Sequence, residues 1–281
     1  MLVRFDIAAV IITYNPNILD LEKLLESIES QVQDIVIIDN CSENINLVKK
    51  LIEKFTAIHL MCNESNLGVA IALNQGIEFV SKKGYKWVLT LDQDSLCENN
   101  LIEELRKYIG CNVGLIGPHV EYRNIKDQSE VVMKLNCHDV DFCITSGSLM
   151  NIEAWDEIGR FNEDFFIDWV DIEYCYRLKK YGFSVLQCES TVLKQQLGRP
   201  KKIWWLRKEI SIHDPLRWYY ITRNRNYFIK NQLGNDGREK LLLLKTVFVN
   251  IVIADEKLAT MRYVVKGFHD FKHSYIGEID E

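Results

Sequence analysis

Apolar and polar stretches alternate regularly along the first hundred residues of this 281-residue chain. Four short apolar runs have the length of buried strands, and they cover residues 6–13, 35–38, 57–62 and 87–91. Three segments between them carry apolar side chains at helical spacing, and they cover residues 18–31, 44–55 and 66–82. Strands that alternate with helices through short connections predict an α/β fold with a mostly parallel central sheet.

The pattern is less regular after residue 94. The predicted elements are a helix near 98–109, a strand at 113–118, a polar stretch at 121–130, strands near 131–135 and 139–145, a turn at 146–148 and a helix near 151–158. A further helix ends at Tyr181-Gly182, where glycine is a common terminator. From residue 199 the chain is basic and aromatic and then helical to about 272, which predicts a helical C-terminal extension.

Polar side chains stand at or just beyond the ends of the four predicted strands. These residues are Asn15, Asp39, Asn66 and Asp92. Because the carboxyl ends of parallel strands meet at one edge of a sheet, and ligands of such sheets bind there, we expect these side chains to lie together. The pattern therefore predicts a nucleotide site at this edge.

Two carboxylates two positions apart, Asp92 and Asp94, follow the apolar run 87–91. Oxygen donors of this kind suit a hard divalent cation such as Mg²⁺ or Mn²⁺, which usually also binds phosphate oxygens. A polar turn after a strand is the alternative interpretation. The spacing of the two acids leaves both open.

Charge is distributed unevenly along the chain. Residues 1–198 carry 18 Lys/Arg against 30 Asp/Glu, a net charge of −12, whereas residues 199–230 carry 9 against 2, a net charge of +7. An acidic body with one basic, aromatic segment argues against general nucleic-acid binding. It favours a local site for phosphates or anionic lipid.

Cysteine usage and the first residues indicate a cytoplasmic protein. The eight cysteines are scattered without a Cys-x-x-Cys pair, so we expect reduced thiols and no zinc cluster. The chain opens on the run 6–13 without the features of a signal peptide. The longest apolar run, 241–254, has 14 residues and includes Lys245 and Asn250, which predicts a helix packed on the body or lying at a membrane surface.

Several short motifs occur in an order shared with a known family. They are Val10-Ile11-Ile12-Thr13-Tyr14-Asn15, Ile37-Ile38-Asp39-Asn40, Asn66-Leu67-Gly68-Val69-Ala70 with Asn74, Leu91-Asp92-Gln93-Asp94-Ser95, Ser146-Gly147-Ser148, Phe166-Ile167-Asp168 with Asp171 and Glu173, and Arg217 with Tyr219, Tyr220, Arg223 and Asn224. Over about residues 6–230 the chain resembles family 2 glycosyltransferases of the GT-A fold, and among them bacterial rhamnosyltransferases. We therefore place a nucleotide-sugar-binding and catalytic domain at 1–198 and a helical extension at 199–281.

The resemblance implies that the nucleotide-sugar donor is bound at the strand ends. Asp39 would accept the imide N–H of a uracil or thymine ring, while Thr13, Tyr14 and Asn15 would line the base and ribose. An aspartate that caps the following helix is the alternative for Asp39.

The helix that follows the third strand is a second expected donor contact. Its first N–H groups, near Asn66 and Gly68, and the nearby Asn74 would face the diphosphate or the sugar hydroxyls, because a helix N-terminus favours anions. Asparagine is also a common N-cap, so a capping role for Asn66 stays open.

For the metal, the resemblance implies direct ligation by Asp94, with Asp92 contacting hydroxyls or the cation through water. The family often adds a histidine from a His-x-Leu-Gly-like motif, and Gln195 occupies that place in Gln195-Gln196-Leu197-Gly198. An amide oxygen can ligate Mg²⁺, although more weakly than imidazole ligates Mn²⁺. His213 is a more distant substitute.

The second acidic motif supplies the expected general base. Asp171 is the predicted base that takes the proton of the acceptor hydroxyl, and Asp168 is its rival three residues earlier. Close carboxylates on one helix face raise one pKa toward the range that a base needs. Glu173 is expected to orient the region or to contact the acceptor. A helix start rich in acids that stabilise the helix dipole is the alternative.

The basic segment 199–230 has three compatible interpretations. Arg217 and Arg223 are expected to bind diphosphate on the donor or on a lipid-linked acceptor. Five aromatic residues would rest on the inner leaflet of a membrane; they are Trp204, Trp205, Trp218, Tyr219 and Tyr220. Packing of the helices onto the body would use Trp218, Tyr219 and Phe228.

Together these features predict an inverting glycosyltransferase. The resemblance favours L-rhamnose from dTDP-β-L-rhamnose as the transferred sugar and a lipid-linked or growing cell-surface glycan as acceptor, with UDP-hexose or UDP-N-acetylhexosamine as alternative donors. A nucleotidyltransferase lacks support, since no Gly-rich basic loop follows the first strand, and a non-catalytic nucleotide-sugar-binding subunit is a further alternative. We expect a cytoplasmic protein, with peripheral membrane contact and a homodimer through the C-terminal helices as further expectations.

Overall fold

The structure is a computed structural model, and it describes residues 7–123, 137–196, 198–203 and 208–279. The strands are β1 (Ile7–Thr13), β2 (Asp34–Asp39), β3 (Ile58–Cys62), β4 (Trp87–Asp92), β5 (Leu96–Cys97), β6 (Val113–Tyr122), β7 (Cys137–Asp139), β8 (Ser148–Asn151), β9 (Ser184–Gln195), β10 (Arg199–Ile203) and β11 (Lys208–Ile212). The helices are α1 (Ile18–Ile28), α2 (Ile45–Ile52), α3 (Val69–Lys82), α4 (Leu101–Leu105), α5 (Ile152–Glu157), α6 (Val170–Lys180), α7 (Pro215–Asn231), α8 (Gly237–Ile253) and α9 (Lys257–Lys272).

Nine of these strands form one central sheet. Its first half is parallel, with β3, β2, β1 and β4 side by side in that order. Beyond β4, β8 runs antiparallel to both β4 and β6, while β6 and β9 pair in parallel. The short strands β5 and β7 pair antiparallel with β9. The carboxyl ends of β1, β2 and β4 therefore lie together at one edge of the sheet.

Helices cover both faces of this sheet, because alternate residues of a strand point to opposite sides. Ala8 and Val10 of β1 pack with residues of α3, α5 and α6. Ala9 and Ile11 pack with residues of α1, α2 and α4. All four are completely buried, as expected of a central parallel strand covered on both faces.

The last three helices form a separate layer around a small apolar cluster of Trp218, Ile229, Leu243, Val247 and Val264. The Tyr219 hydroxyl of α7 donates to the buried Asp270 of α9 at 2.9 Å. No helix within the described ranges combines the length and the hydropathy needed to cross a membrane.

The predicted elements of the first hundred residues are confirmed, and the later ones are confirmed in part. The segment 139–145 is predicted as a strand but lies mostly in an irregular connection, and β8 occupies part of the predicted small-residue turn. The long strand β9 and the hairpin of β10 and β11 are not predicted at all. The strand expected near 131–135 lies outside the described residues.

Candidate active site

The Asp92–Asp94 turn follows β4 at the carboxyl edge of the sheet, and buried serines hold it. Ser146, which is 1% exposed, accepts the Asp92 N–H at 3.0 Å. Its Oγ also lies 2.6 Å from Ser95 Oγ. These contacts fix the backbone of the turn and leave both carboxylates available for other partners.

Asp92 lies in an environment that disfavours its charged form. Burial and the neighbouring Asp94 and Asp171 carboxylates raise the pKa of Asp92 to about 6. The hydrogen bond from Gln195 and the positive charge of Arg217 lower this pKa, but by less. The Gln195 amide donates to Asp92 Oδ2 at 2.7 Å. The long strand β9 thus brings Gln195 beside Asp92, as the resemblance implied, with its amide nitrogen on the carboxylate.

Burial also raises the pKa of Asp94, although the Gln196 backbone N–H and the positive charge of Arg123 act in the opposite direction. The Arg123 guanidinium donates to the Asp94 carbonyl at 2.6 Å. Arg123 and Ser146 both support the Asp92–Asp94 turn, yet sequence analysis gave Arg123 no role and Ser146 only a place in a turn, since both are distant in the chain.

A strained backbone segment precedes α6. Asp168 and Trp169 have positive φ angles of 65° and 68°, a conformation that costs free energy in residues with a side chain and is often found at functional sites. The completely buried Asn224 of α7 donates to the carbonyls of Ile167 and Asp168 at 2.9 and 3.0 Å. The C-terminal extension therefore shapes this part of the site.

Asp168 and Asp171 lie near each other, but their environments differ. Arg217 binds both carboxylate oxygens of Asp168, with Nη2–Oδ1 at 2.5 Å and Nε–Oδ2 at 3.2 Å. Burial and the negative charge of Asp168 raise the pKa of Asp171 to about 6, despite the Ile172 N–H at 2.9 Å and the cation of Arg217. Asp171 is thus the carboxylate better suited to accept a proton near neutral pH.

Glu173, which is expected either to orient the region or to contact the acceptor, lies inside the protein. It is 3% exposed and forms a two-pronged ion pair with Arg177, with bonds of 2.7 and 2.8 Å. Arg177 also donates to the carbonyls of Ile158 and Arg160. Glu173 therefore orients the start of α6, which is one of its two expected roles, and a contact with the acceptor stays a prediction.

Asp39 is completely buried, with three donors inside the protein. Its carboxylate accepts the Thr13 hydroxyl at 2.8 Å, the Ser42 hydroxyl at 2.6 Å and the Ser42 N–H at 2.8 Å. Neither Asp39 nor the equally buried Thr13 presents an exposed surface to a base in this conformation, so their predicted contacts with the donor base stay untested. The two side chains instead stabilise the loop after β2.

Tyr14 and Asn15 remain exposed at the end of β1. The Gln93 amide, between the two acids, accepts the Tyr14 N–H at 2.8 Å and donates to the Tyr14 carbonyl at 3.2 Å. Asn15 accepts the Glu43 N–H at 2.8 Å. The loop after β1 is therefore tied both to the acidic turn and to the loop after β2.

The N-terminus of α3 is occupied by protein groups. The Val69 N–H donates to the Phe166 carbonyl at 2.7 Å, and the Gly68 N–H donates to the Asn66 side chain at 3.0 Å. A β-carbon at Gly68 would lie 2.4 Å from the Phe166 carbonyl oxygen. The N–H groups of Gly68 and Val69 are therefore paired within the protein, and Asn66 holds the turn before α3, whose N-cap residue Gly68 has no side-chain capping bond. Contact of Asn66 and Gly68 with the diphosphate stays a prediction.

Asn74 is buried and uses its whole amide within the protein. It donates to Phe161 and Glu163 and accepts from the Trp155 ring N–H and the Phe161 N–H. Because no donor or acceptor is left for a sugar, the assignment of Asn74 to donor binding is wrong.

Arg223 is likewise completely buried. Its guanidinium lies over the rings of Tyr219 and Tyr220 and donates to Asn224 at 3.1 Å. A diphosphate cannot reach Arg223 in this conformation, so its predicted role in phosphate binding is wrong. The side chain of Arg217 is 38% exposed, so its contact with a diphosphate stays a prediction.

The aromatic side chains of α7 pack inside the protein. Trp218, Tyr219, Tyr220 and Phe228 are at most 7% exposed, so they pack α7 onto the protein and do not offer their rings to a membrane surface in this conformation. Trp204 and Trp205 lie outside the described residues.

The donor set at the turn fits a divalent cation. Asp92, Asp94 and the Gln195 amide provide oxygen atoms, and a cation would relieve the mutual repulsion that raises the pKa of Asp92. Within the described ranges no group of three His, Cys, Asp or Glu side chains could hold a metal. His213 lies instead beside Arg217, at 3.4 Å from its guanidinium. The donor set of Asp92, Asp94 and Gln195 suits Mg²⁺, which often binds through one or two carboxylates plus substrate phosphates.

Comparisons with known proteins agree with this fold. The model of the family described as Glycosyl transferase family 2 matches residues 8–176. The dTDP-rhamnosyl transferase RfbF of Shigella flexneri is 29% identical over 270 residues, which cover 90% of each chain. Among solved structures, S. aureus TarS in complex with UDP-GlcNAc aligns with a TM-score of 0.56 at 14% identity, over 97% of this chain and 74% of TarS. GalNAc-T7 with UDP, GalNAc and Mn²⁺ aligns with a TM-score of 0.57 at 14% identity, over 70% of this chain and 44% of GalNAc-T7.

Proposed function

The chain belongs to glycosyl transferase family 2, and from this premise we propose that it is an inverting enzyme that moves L-rhamnose from dTDP-β-L-rhamnose to a hydroxyl of a lipid-linked or growing cell-surface polysaccharide. The support for the donor is the similarity to the dTDP-rhamnosyl transferase along nearly the whole length of both chains. The support for the chemistry is the cluster of Asp92, Asp94, Asp168, Asp171 and Arg217 at the sheet edge. That cluster is the observation that carries the proposal.

Asp171 is the general base of the proposed reaction. The acceptor oxygen attacks the anomeric carbon, the bond from that carbon to the diphosphate oxygen breaks, and the acceptor proton passes to the Asp171 carboxylate. Its raised pKa, about 6, makes it more basic than an ordinary aspartate while leaving it ionised at neutral pH. A single displacement of this kind inverts the anomeric configuration.

Asp168 and Arg217 act on the position and charge of this base. The ion pair ties the start of α6 to α7, and the negative charge of Asp168 favours the protonated form of Asp171. The Arg217 guanidinium also stabilises the ionised form of Asp92 and so lowers the pKa of that carboxyl group. A guanidinium so close to both acidic motifs suits an anionic diphosphate passing between them.

Asp92, Asp94 and Gln195 are the residues that would hold Mg²⁺ or Mn²⁺. The bound cation supplies positive charge that neutralises the leaving diphosphate. The protein residues contribute the oxygen donors, and Ser146 and Gln93 fix the turn that carries them. Because Asp39 and Thr13 are buried, we propose that they shape the loop beneath the nucleotide base rather than bond to it.

A donor panel tests this proposal. The purified protein is incubated with dTDP-rhamnose, UDP-hexoses and UDP-N-acetylhexosamines, with a lipid-linked acceptor and Mg²⁺ or Mn²⁺. We expect the highest turnover with dTDP-rhamnose. A clear preference for a UDP-sugar would move the assignment to the alternative donor class, and binding of a nucleotide without any turnover would favour a non-catalytic subunit.

A further inference from the structure

The outer surface of α8 and α9 has an unusual composition. We call it the α8–α9 face. The exposed residues of α8 beyond Gly237 are Arg238, Lys240, Leu241, Leu242, Leu244, Lys245, Phe248, Val249 and Val252. Those of α9 are Lys257, Leu258, Met261, Arg262, Val265, His269 and Lys272. Each of these side chains is apolar, cationic or, at His269, an imidazole, so the face combines large apolar groups with positive charge.

The apolar side chains of this face are far more exposed than packing requires. Leu244 is 52% exposed, Phe248 69% and Leu258 80%. The opposite sides of the same helices, with Leu243 and Val264, fill the cluster shared with α7. An exposed apolar surface that the fold does not use for its own core marks a site of interaction.

The carboxylates of α8 and α9 are directed away from the face. Glu239 pairs with Arg225 of α7 at 3.2 Å. Asp270 is 5% exposed and accepts from Tyr219, while Lys266 lies 3.2 Å from it. In the connection between the helices, Asp255 pairs with Lys201 and Glu256 is exposed at the start of α9. The exposed side chains of the two helices themselves therefore carry a net positive charge.

We propose that the α8–α9 face docks on the surface of a bilayer that contains anionic phospholipid. Helices with an apolar side and flanking lysine and arginine residues lie in the interface plane, and each cation near an anionic surface adds to the affinity. A two-fold contact with a second copy places the same patch on both sides. Such a contact would bring Lys245 and Arg262 of one copy against cations of the other. The positive charge of the face therefore favours an anionic lipid surface over a second copy of the chain.

A groove of about 970 Å³ begins on the same face. Its lining includes Leu258, Arg262 and Lys266 of α9 and Leu216 of α7, with the carboxylates of Asp214 and Glu256 at the N-terminal ends of the two helices. The next residue, Arg217, pairs with Asp168. Docking on this face therefore brings the lipid surface near the catalytic acids; this step rests on the proposed function, whereas the docking itself does not.

Co-sedimentation of the full chain with vesicles tests the docking. The vesicles contain phosphatidylcholine, either pure or with phosphatidylglycerol, and turnover is not part of the readout. We expect binding to the anionic vesicles. The double variant Leu244→Ser with Phe248→Ser removes apolar contact, and Lys245→Glu with Arg262→Glu reverses two charges. Each should weaken binding by roughly tenfold or more, with unchanged melting temperature because all four residues are exposed.

The matched control replaces exposed leucines elsewhere. Leu19 and Leu47 are 65% and 54% exposed on α1 and α2, and Leu19→Ser with Leu47→Ser should leave vesicle binding unchanged. The proposal is overturned if the wild-type chain ignores anionic vesicles, if the control loses binding equally, or if light scattering shows a dimer that Leu244→Ser with Phe248→Ser dissociates. If the wild-type chain binds the vesicles but does not turn over a soluble acceptor, the proposed function is contradicted and the docking stands.

Discussion

At the scale of single residues, Asp171 combines burial with a neighbouring negative charge. If Asp171 is the base, Asp171→Asn removes proton acceptance and should lower kcat about 10²- to 10⁴-fold. In the wild type the rate should fall as pH drops below about 6, because protonated Asp171 cannot take the acceptor proton. Initial rates against pH check both points, and a variant that retains near wild-type turnover would refute the assignment.

Asp171→Asn should stabilise the folded chain even though it lowers activity. The pKa of Asp171 rises from 3.8 to about 6 on folding, so above pH 6 the folded chain holds a buried charge at a cost of roughly 1–3 kcal/mol. Asp171→Asn should therefore raise the melting temperature at pH 7.5. The gain should shrink as pH falls through 6 toward about 3, where Asp171 is protonated in both the folded and the unfolded chain. An equal gain at both pH values would contradict this account.

Gln195 provides a second test at the residue scale. Gln195→Leu removes the donor to Asp92, so the pKa of Asp92 should rise further and the carboxylate should bind a cation less well. We expect the Mg²⁺ or Mn²⁺ concentration for half-maximal activity to increase roughly tenfold. The control is Gln196→Leu, whose exposed side chain is replaced while the backbone N–H to Asp94 remains. Equal shifts in both variants would show that the Gln195 contact is not responsible.

At the scale of elements, α7 determines the shape of the loop before α6. Asn224→Ala removes two hydrogen bonds to the carbonyls of Ile167 and Asp168, at the start of the segment with positive φ angles. It should lower kcat at least tenfold and reduce stability by about 1–3 kcal/mol. Asn226 is its control, since it is also buried in the same helix but donates to the Thr222 carbonyl within α7. Kinetics and denaturant unfolding of both variants separate positioning from packing.

The contact of α3 with the same loop allows another matched pair. Gly68 and Gly84 both have positive φ angles, 83° and 90°, but only the β-carbon added at Gly68 meets an atom, the Phe166 carbonyl oxygen. Gly84→Ala should cost about 1–2 kcal/mol of backbone strain. Gly68→Ala should cost more and also lower activity, because Phe166 and the Asp168 loop must move. Similar activity in both variants would contradict this link.

At the scale of the whole molecule, the sequence was informative wherever local patterns determine structure. Alternating runs identified the parallel half of the sheet, and polar residues after Ile12, Ile38 and Leu91 located the functional edge. What the sequence could not reveal depends on distant partners. The serine that holds the Asp92 turn lies 54 positions away. Single residues such as Asn74 and Arg223 looked like ligands, yet the fold satisfies their polar groups internally.

The charge distribution was also only partly interpretable in advance. The basic segment 199–230 suggested a surface for phosphates or lipid, but much of α7 is buried and serves the site. The exposed cations with apolar neighbours lie instead on α8 and α9. Composition cannot distinguish these cases, because burial of a charged helix depends on what packs against it.

The stereochemistry of the transferred sugar tests the central claim most directly. With dTDP-β-L-rhamnose as donor, NMR of the product formed before any equilibration reports the anomeric configuration at the new bond. A single displacement assisted by Asp171 predicts the α-linked product and its loss in Asp171→Asn. A β-linked product from the wild-type chain would require a second displacement or another mechanism, and it would contradict the account.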